Sequence, residues 1–452
     1  MKRTTKILPI ISLLVLMSMA CALLASPPRP EIPTPPSTPD GGIVSLDDLS
    51  SPSLNPTSSV VFTIDPDIEA LMNAVSQQNL LAYVQTLEAF RTRHTFSETQ
   101  RDDIGIGAAR RWIYEEFLRV NAGALQVAFE DFNNTFNGLT TNQRNVIATL
   151  PGVGSDPGII ILMAHYDSRN TDVLDGEGTS PGADDNATGV AILLELARLM
   201  SARSWNKTII FAAFAAEEQG TFGSTHFVQD YMLSGRTFEA AINNDIVGGR
   251  PGIPQSIRVF SPGPETSNSR QLARYIELVG GLYMPTFGVE LVDGLDREGR
   301  YSDHREFINA GVPGVRMTES VEDFSIEHTG LDRSELLDYN YLRQVAQLNL
   351  VTIANLAGSP SMPPVPVVTA VSEGSYAITW PPDNLTAAYA ISFRPLGVPV
   401  YSAPFYYVNG SEAGNVALSG LDPQGTYAVS LAALDPGGKI SAFSPEVIVG
   451  PP

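Results

Sequence analysis

The chain has 452 residues, 43% hydrophobic and 17% charged, which suits a large domain plus a satellite and is too apolar for intrinsic disorder. With 28 basic residues against 49 acidic, the net charge of −21 repels phosphate backbones and anionic lipid headgroups and argues against a nucleic-acid partner. A single cysteine excludes a disulfide framework and any Cys-rich metal module, so a bound metal must rely on His, Asp and Glu.

Residues 1–25 read as an export signal. Lys2, Arg3 and Lys6 form the positive end, residues 7–24 are almost unbroken in their apolar character, and the small residues Ala20, Ala22 and Ala25 follow. Cys21 leaves two readings open: a lipidated cysteine that tethers the protein to a membrane, or an ordinary residue of a discarded signal, since Ser18 stands where a lipobox usually has Leu. Either way the mature protein is expected outside the cytoplasm, secreted or lipid-anchored at the cell surface. No second apolar run of spanning length follows. Residues 26–60 are rich in Pro, Ser and Thr and are expected to form an extended, semi-rigid linker without a core.

From residue 61 to 358 helical and strand-like patterns alternate. Helices are expected at 68–90, 103–120, 187–200, 267–281 and 334–356, and buried strands at 158–164, 208–215, 240–243, 257–261 and 314–317. The alternation predicts an α/β domain with a mixed, largely parallel sheet covered by helices on both faces. After the linker at 358–364 the period changes to two: 376–380, 389–393 and 427–431 each place apolar side chains on one face, which predicts a small all-β sandwich over residues 364–450. With Trp380 in an early strand and the approach Leu421-Asp-Pro423-Gln-Gly-Thr-Tyr427, this segment resembles a fibronectin type III domain. It carries no cluster of titratable groups and is assigned no chemistry; a cell surface or a glycan are the partners left open for it.

Catalytic groups in open α/β sheets gather at the carboxyl ends of strands. The first buried strand ends in Ala164-His165-Tyr166-Asp167-Ser168, a His-x-Asp in which the carboxylate can fix the second ring nitrogen. Pro181-Gly-Ala-Asp184-Asp185-Asn186 enters a helix, where helix capping alone would account for the acids. Glu217-Glu218 follows the next strand, and adjacent carboxylates there are costly without a cation or a shared proton. Asn244-Asp245 ends a further strand, and Glu327-His328-Thr329 opens a polar turn. His165, Asp184, Glu218, Asp245 and His328 make a set of two imidazoles and three carboxylates that suits zinc. Charge favours two ions, because two divalent cations balance three carboxylates and one bridging hydroxide.

These stretches, together with Gly223-Ser224, Ser302-Asp-His304 and His328-Thr-Gly-Leu-Asp332, resemble the M28 family of zinc peptidases, whose aminopeptidases carry two co-catalytic zinc ions. The resemblance runs from Arg93 to about Gly358. It implies that Asp184 bridges the metals, that His165 and Asp245 complete one site and Glu218 and His328 the other, that Glu217 is the general base and that Asp167 orients His165. It also implies a cis peptide at Asp184–Asp185, and a supporting role rather than ligation for His304; His94 and His226 match no ligand position and are read as structural. Related secreted aminopeptidases often have Tyr before the metal-binding His, where this chain has Glu327, and Arg300 and Tyr301 stand before the Ser-Asp-His motif without an assignable role.

The leading expectation is therefore an exported zinc-dependent aminopeptidase, with two zinc ions per chain, acting on peptide or protein N-termini. The alternatives are a glutaminyl cyclase-like acyltransferase with a single zinc, and a non-catalytic binding or adhesion protein suggested by the linker and the sandwich.

Overall fold

The most apolar runs of the chain become its central strands, because a strand covered on both faces has no solvent side to keep polar. The computed structural model describes residues 53–55, 63–155, 158–384, 386–401 and 405–450; the signal, Cys21 and most of the expected linker lie outside the described residues. In chain order β1 (Ser53–Asn55), α1 (Pro66–Asn73), α2 (Gln77–Ala89) and α3 (Gly105–Val120) lead into the hairpin β2 (Gln126–Phe136) and β3 (Leu139–Leu150). There follow β4 (Ile159–His165), α4 (Thr188–Met200), β5 (Thr208–Phe214), α5 (Phe222–Leu233), β6 (Phe238–Asn244), β7 (Ser256–Ser261) and α6 (Asn268–Tyr283). The α/β part closes with β8 (Gly288–Asp293), α7 (His304–Asn309), β9 (Gly314–Glu319) and α8 (Tyr339–Gly358).

Eight strands form one sheet in the order β2-β3-β5-β4-β6-β9-β7-β8. The centre, β5-β4-β6-β9, is parallel, as is β7-β8, whereas β2-β3, β3-β5 and β7-β9 are antiparallel. Alternate side chains of β4 serve the two faces: Ile160, Leu162 and Ala164 lie on the side of α4 and α8, whereas Ile159, Ile161 and Met163 pack with Phe227 and Val228 of α5 and Phe307 of α7. This is the mixed, largely parallel sheet expected, with helices on both faces, and it delivers the ends of β4, β5 and β6 to one side.

Beyond α5, β8 and α7, which were not among the expected elements, three further differences have local causes. The single helix expected at 68–90 is two, because the Ser76 side chain accepts from Asn79 N (3.2 Å) and starts a new helix, while Ser76 N donates to Glu195 Oε1 (2.7 Å). The β2–β3 hairpin was not foreseen because its strands are half polar; its signal was Asn137-Gly138, which takes positive φ at both residues (48° and 81°) between the paired Phe136 and Leu139. Finally, Ser53–Asn55, within the stretch expected to be linker, is a strand of the sandwich.

That sandwich comprises β10 (Val367–Ser372), β11 (Ser375–Thr379), β12 (Ala388–Pro395), β13 (Tyr406–Asn409), β14 (Asn415–Ser419), β15 (Tyr427–Leu434) and β16 (Val447–Val449). Its sheets run β1-β14-β11-β10 and β13-β12-β15-β16. Tyr376, Ile378, Trp380, Ile391, Val416, Leu418, Val429 and Leu431 fill the space between them. The Tyr427 hydroxyl accepts from Asp422 N (3.1 Å), tying the entry of β15 to the turn before it. A second set of sandwich residues, including Ala390, Ala432, Leu434 and Phe443, joins the hydrophobic core of the α/β part. Tyr275 Oη donates to Ile440 O (2.6 Å), Gln271 Nε2 to Ser444 O (3.0 Å), and Lys439 pairs with Asp65 (2.6 Å) across the same junction.

Candidate metal centre

His165 is the last residue of β4 and is buried. Its Nδ1 lies 3.1 Å from the backbone oxygen of Asp167, closer than the 3.6 Å to the Asp167 carboxylate. A proton on Nδ1 donated to that oxygen leaves Nε2 as a free lone pair facing inward. Nε2 stands 3.2 Å from Asp185 Oδ1 and 3.6 Å from Asp245 Oδ1. The orienting contact expected of the Asp167 side chain is thus made first by its backbone. The carboxylate instead accepts from Glu217 N and Glu218 N (both 3.1 Å), which fixes the turn after β5 where that adjacent pair of acids sits.

On the opposite side, His328 Nε2 lies 3.0 Å from Asp185 Oδ2 and 3.3 Å from Glu218 Oε2. Two groups result, His165–Asp185–Asp245 and Asp185–Glu218–His328, each with ligand atoms within 4.8 Å of one another, and Asp185 belongs to both. Asp184, expected between the metals, is not in either group. Its carboxylate turns away and accepts from Gly248 N (2.8 Å) and from Thr188 Oγ1 (3.4 Å). The cis peptide bond of this turn is Asp185–Asn186, one bond later than expected. Two neighbouring aspartates look alike in a sequence; the turn separates them because both of their amides, Asp184 N (2.8 Å) and Asp185 N (3.0 Å), are captured by the single carboxylate of Asp332.

Other residues without an assigned role in the sequence hold this frame. The buried Arg93 guanidinium donates to Tyr166 O (2.7 Å), Pro181 O (2.5 Å) and Gly182 O (2.8 Å), joining the end of β4 to the Asp185 turn. Arg316 on β9 pairs with Asp245 Oδ2 (3.2 Å), and Arg169 pairs with Glu218 Oε2 (2.8 Å). Neither arginine carried a sequence signal, since each is single and set within an ordinary strand or loop. His304 Nε2 engages Leu295 O (2.7 Å), and His94 Nε2 lies 3.2 Å from Val173 O; neither joins the two groups, nor does His226.

The electrostatics ask for a cation. Burial disfavours charge on His328, yet Glu218 and Asp185 outweigh it and raise its pKa to about 10. Glu218 Oε1 is buried without a hydrogen-bond donor among the described residues. Glu217 makes no side-chain hydrogen bond among the described residues, and burial pushes its carboxyl pKa well up, with His165 opposing. Two imidazoles, three oxygen ligands and one orphaned carboxylate oxygen fit zinc: the ion would replace the protons that the carboxylates otherwise draw onto the histidines.

Comparison with known proteins places this geometry. The model of peptidase family M28 matches residues 145–353, which contain every residue of the two groups. A probable zinc metalloprotease of Pyricularia oryzae is 33% identical over 389 residues, covering 76% of this chain and 78% of that protein. Among solved structures, the LapA aminopeptidase of Legionella pneumophila superposes with a TM-score of 0.53 at 20% identity, over 66% of this chain and 76% of that one. The glutaminyl cyclase of Porphyromonas gingivalis does so with a TM-score of 0.50 at 21% identity, over 62% and 98%. These two share the fold of this chain but differ in activity, so its reaction is argued from the site. Through its fungal relative, and with both histidine–carboxylate groups in place, the chain belongs to peptidase family M28 and is a metallopeptidase.

Proposed function

We propose that the protein is an exported aminopeptidase in which His165, Asp185 and Asp245 would hold one zinc ion and Asp185, Glu218 and His328 a second. The observation that carries this reading is the pair of Asp185 oxygens, each facing a different imidazole at 3.2 and 3.0 Å. When bound, zinc supplies Lewis acidity, polarising a scissile carbonyl and lowering the pKa of water. Glu217 is the general base: its carboxylate has no competing side-chain hydrogen bond among the described residues, and its amide is anchored on Asp167. It takes a proton from the attacking water and passes it to the departing amine. Burial keeps its proton affinity high enough for that task.

The single-zinc cyclase reading has no use for a carboxylate shared between two histidines. We also read residues 1–25 as the export signal, residues 61–358 as the catalytic domain and residues 364–450 as a fibronectin type III-like module, the last supported by its strand order and by the Tyr427–Asp422 contact. Among the described residues no helix is long and apolar enough to cross a membrane.

Metal analysis and a panel of aminoacyl anilides, with N-acetylated controls, test the reading together. Two zinc ions per chain and cleavage only of free-amine substrates are expected. One zinc with cyclisation of N-terminal glutamine would replace the proposal with the cyclase; full zinc occupancy with no hydrolysis would replace it with a binding protein.

A further inference from the structure

A third histidine–carboxylate group lies apart from the catalytic centre, where α5 crosses the β2–β3 hairpin. His226 and Asp230 stand one turn apart on α5, with His226 Nε2 3.7 Å from Asp230 Oδ2. Glu130 of β2 faces them, and one ligand atom from each of the three residues lies within 4.8 Å of the others. The His226 ring stacks on Phe132, two residues along the same face of β2 as Glu130, with centroids 5.3 Å apart and planes at 26°. That stack fixes the direction of the ring nitrogens. Asn145 Nδ2 donates to Glu130 Oε2 (2.7 Å) and holds the carboxylate in place.

What the group lacks is a counter-charge. The neighbouring Asp131, on the other face of β2, is paired with Arg144 at 2.5 Å. Glu130 and Asp230 have no Lys or Arg within ion-pair distance among the described residues; His226 is their one basic neighbour. Glu130 is also partly buried, and the loss of water raises its pKa. A held carboxylate without a cation, an oriented imidazole and a second, solvent-exposed carboxylate at one-turn spacing form a ligand set at the surface.

We propose that Glu130, His226 and Asp230 bind a divalent transition-metal ion, zinc by preference, at a site separate from catalysis. The imidazole disfavours calcium and magnesium, which take oxygen ligands. His226, which its sequence context marked as structural, is then a metal ligand. The ion would pin α5 to the hairpin, and Asn145 carries the link inward. Its Nδ2 also donates to Gly223 O (2.9 Å) and its Oδ1 accepts from Ala215 N (3.1 Å), on either side of the turn bearing Glu217 and Glu218.

The test is zinc stoichiometry. Metal-stripped full-length protein is dialysed against zinc and counted by plasma mass spectrometry for the wild type, Asp230→Asn and His226→Gln. Each variant is expected to hold one zinc fewer than the wild type and to lose part of the zinc-dependent rise in melting temperature. Zinc-edge anomalous diffraction from wild-type crystals should give a peak between the three residues. If His226→Gln loses the stacked structure, Glu130→Gln replaces it in the count. Equal stoichiometry in wild type and variants, or no anomalous peak at saturating zinc, overturns the site. The count is a difference between proteins that share the catalytic ligands, so its failure leaves the two-zinc reading untouched.

Discussion

The junction between the α/β domain and the sandwich buries charge as deeply as the metal centre, and the two differ in how that charge is settled. At the junction Arg274, Arg394 and Glu446 have no exposed side-chain surface. Both oxygens of Glu446 are used: Arg394 donates to Oε1 at 3.0 Å and to Oε2 at 2.9 Å, and Arg274 donates to Oε2 at 3.1 Å. Glu265 completes the group by pairing with Arg394, so two guanidinium ions meet two carboxylates. At the metal centre the arginines that Asp185, Glu217, Glu218 and Asp245 meet among the described residues are Arg169 and Arg316; the rest of their side-chain contacts are to the two imidazoles, and Glu218 Oε1 has no donor. A protein closes its structural charges internally, since an unpaired buried charge costs several kcal/mol. Arg274 Nε and Nη1 have no partner there among the described residues either, but the junction's charges balance within the protein, whereas those of the metal centre do not without protons on the histidines or a cation.

The sharpest way to break this comparison is to neutralise the acid shared by both histidines. Asp185→Asn is expected to abolish zinc binding at both positions and with it all turnover, whereas Asp184→Asn should keep full zinc content in metal analysis. Equal metal loss in the two variants would return the bridging role to Asp184. Next in size, Glu217→Gln should retain zinc and lower kcat about 10²- to 10⁴-fold, the usual worth of a positioned base; a wild-type kcat with full metal would remove Glu217 from the chemistry.

At the closed junction the expected effect is on stability alone. Glu446→Ala leaves the buried Arg274 guanidinium without a carboxylate and Arg394 with Glu265 alone, and should cost about 3–5 kcal/mol in denaturant unfolding. Turnover per folded, metal-loaded molecule should stay unchanged, and a large loss of kcat would mean that the junction communicates with the centre. The smallest effect belongs to Tyr427→Phe, which removes the hydrogen bond to Asp422 N and should cost about 1 kcal/mol by the same measurement.

Much of this architecture was legible beforehand where burial leaves a simple mark. The runs that became β4 and β5 are apolar without interruption, because both of their faces are covered, and the period-two pattern of β11 betrays its single buried face, whereas β12 and β15 are buried on both. The half-polar hairpin escaped for the opposite reason, although Asn137-Gly138 announced its turn. Likewise Ser53–Asn55 has nothing strand-like about it; it is a strand because β14 offers it an edge.

The amino-acid sequence by itself determined the chemistry on offer: which strands end in acids and imidazoles, and that cysteine plays no part in binding metal. Only the folded chain decided which of two adjacent aspartates faces the histidines, because the choice rests on Asp332 reaching back to both of their amides. It also decided which carboxylates find an arginine, Asp245 through Arg316 and Glu218 through Arg169, and which are left for a cation. Those outcomes depend on distances between residues far apart in the chain, and Coulomb energy is a function of distance in space, not of position in a sequence.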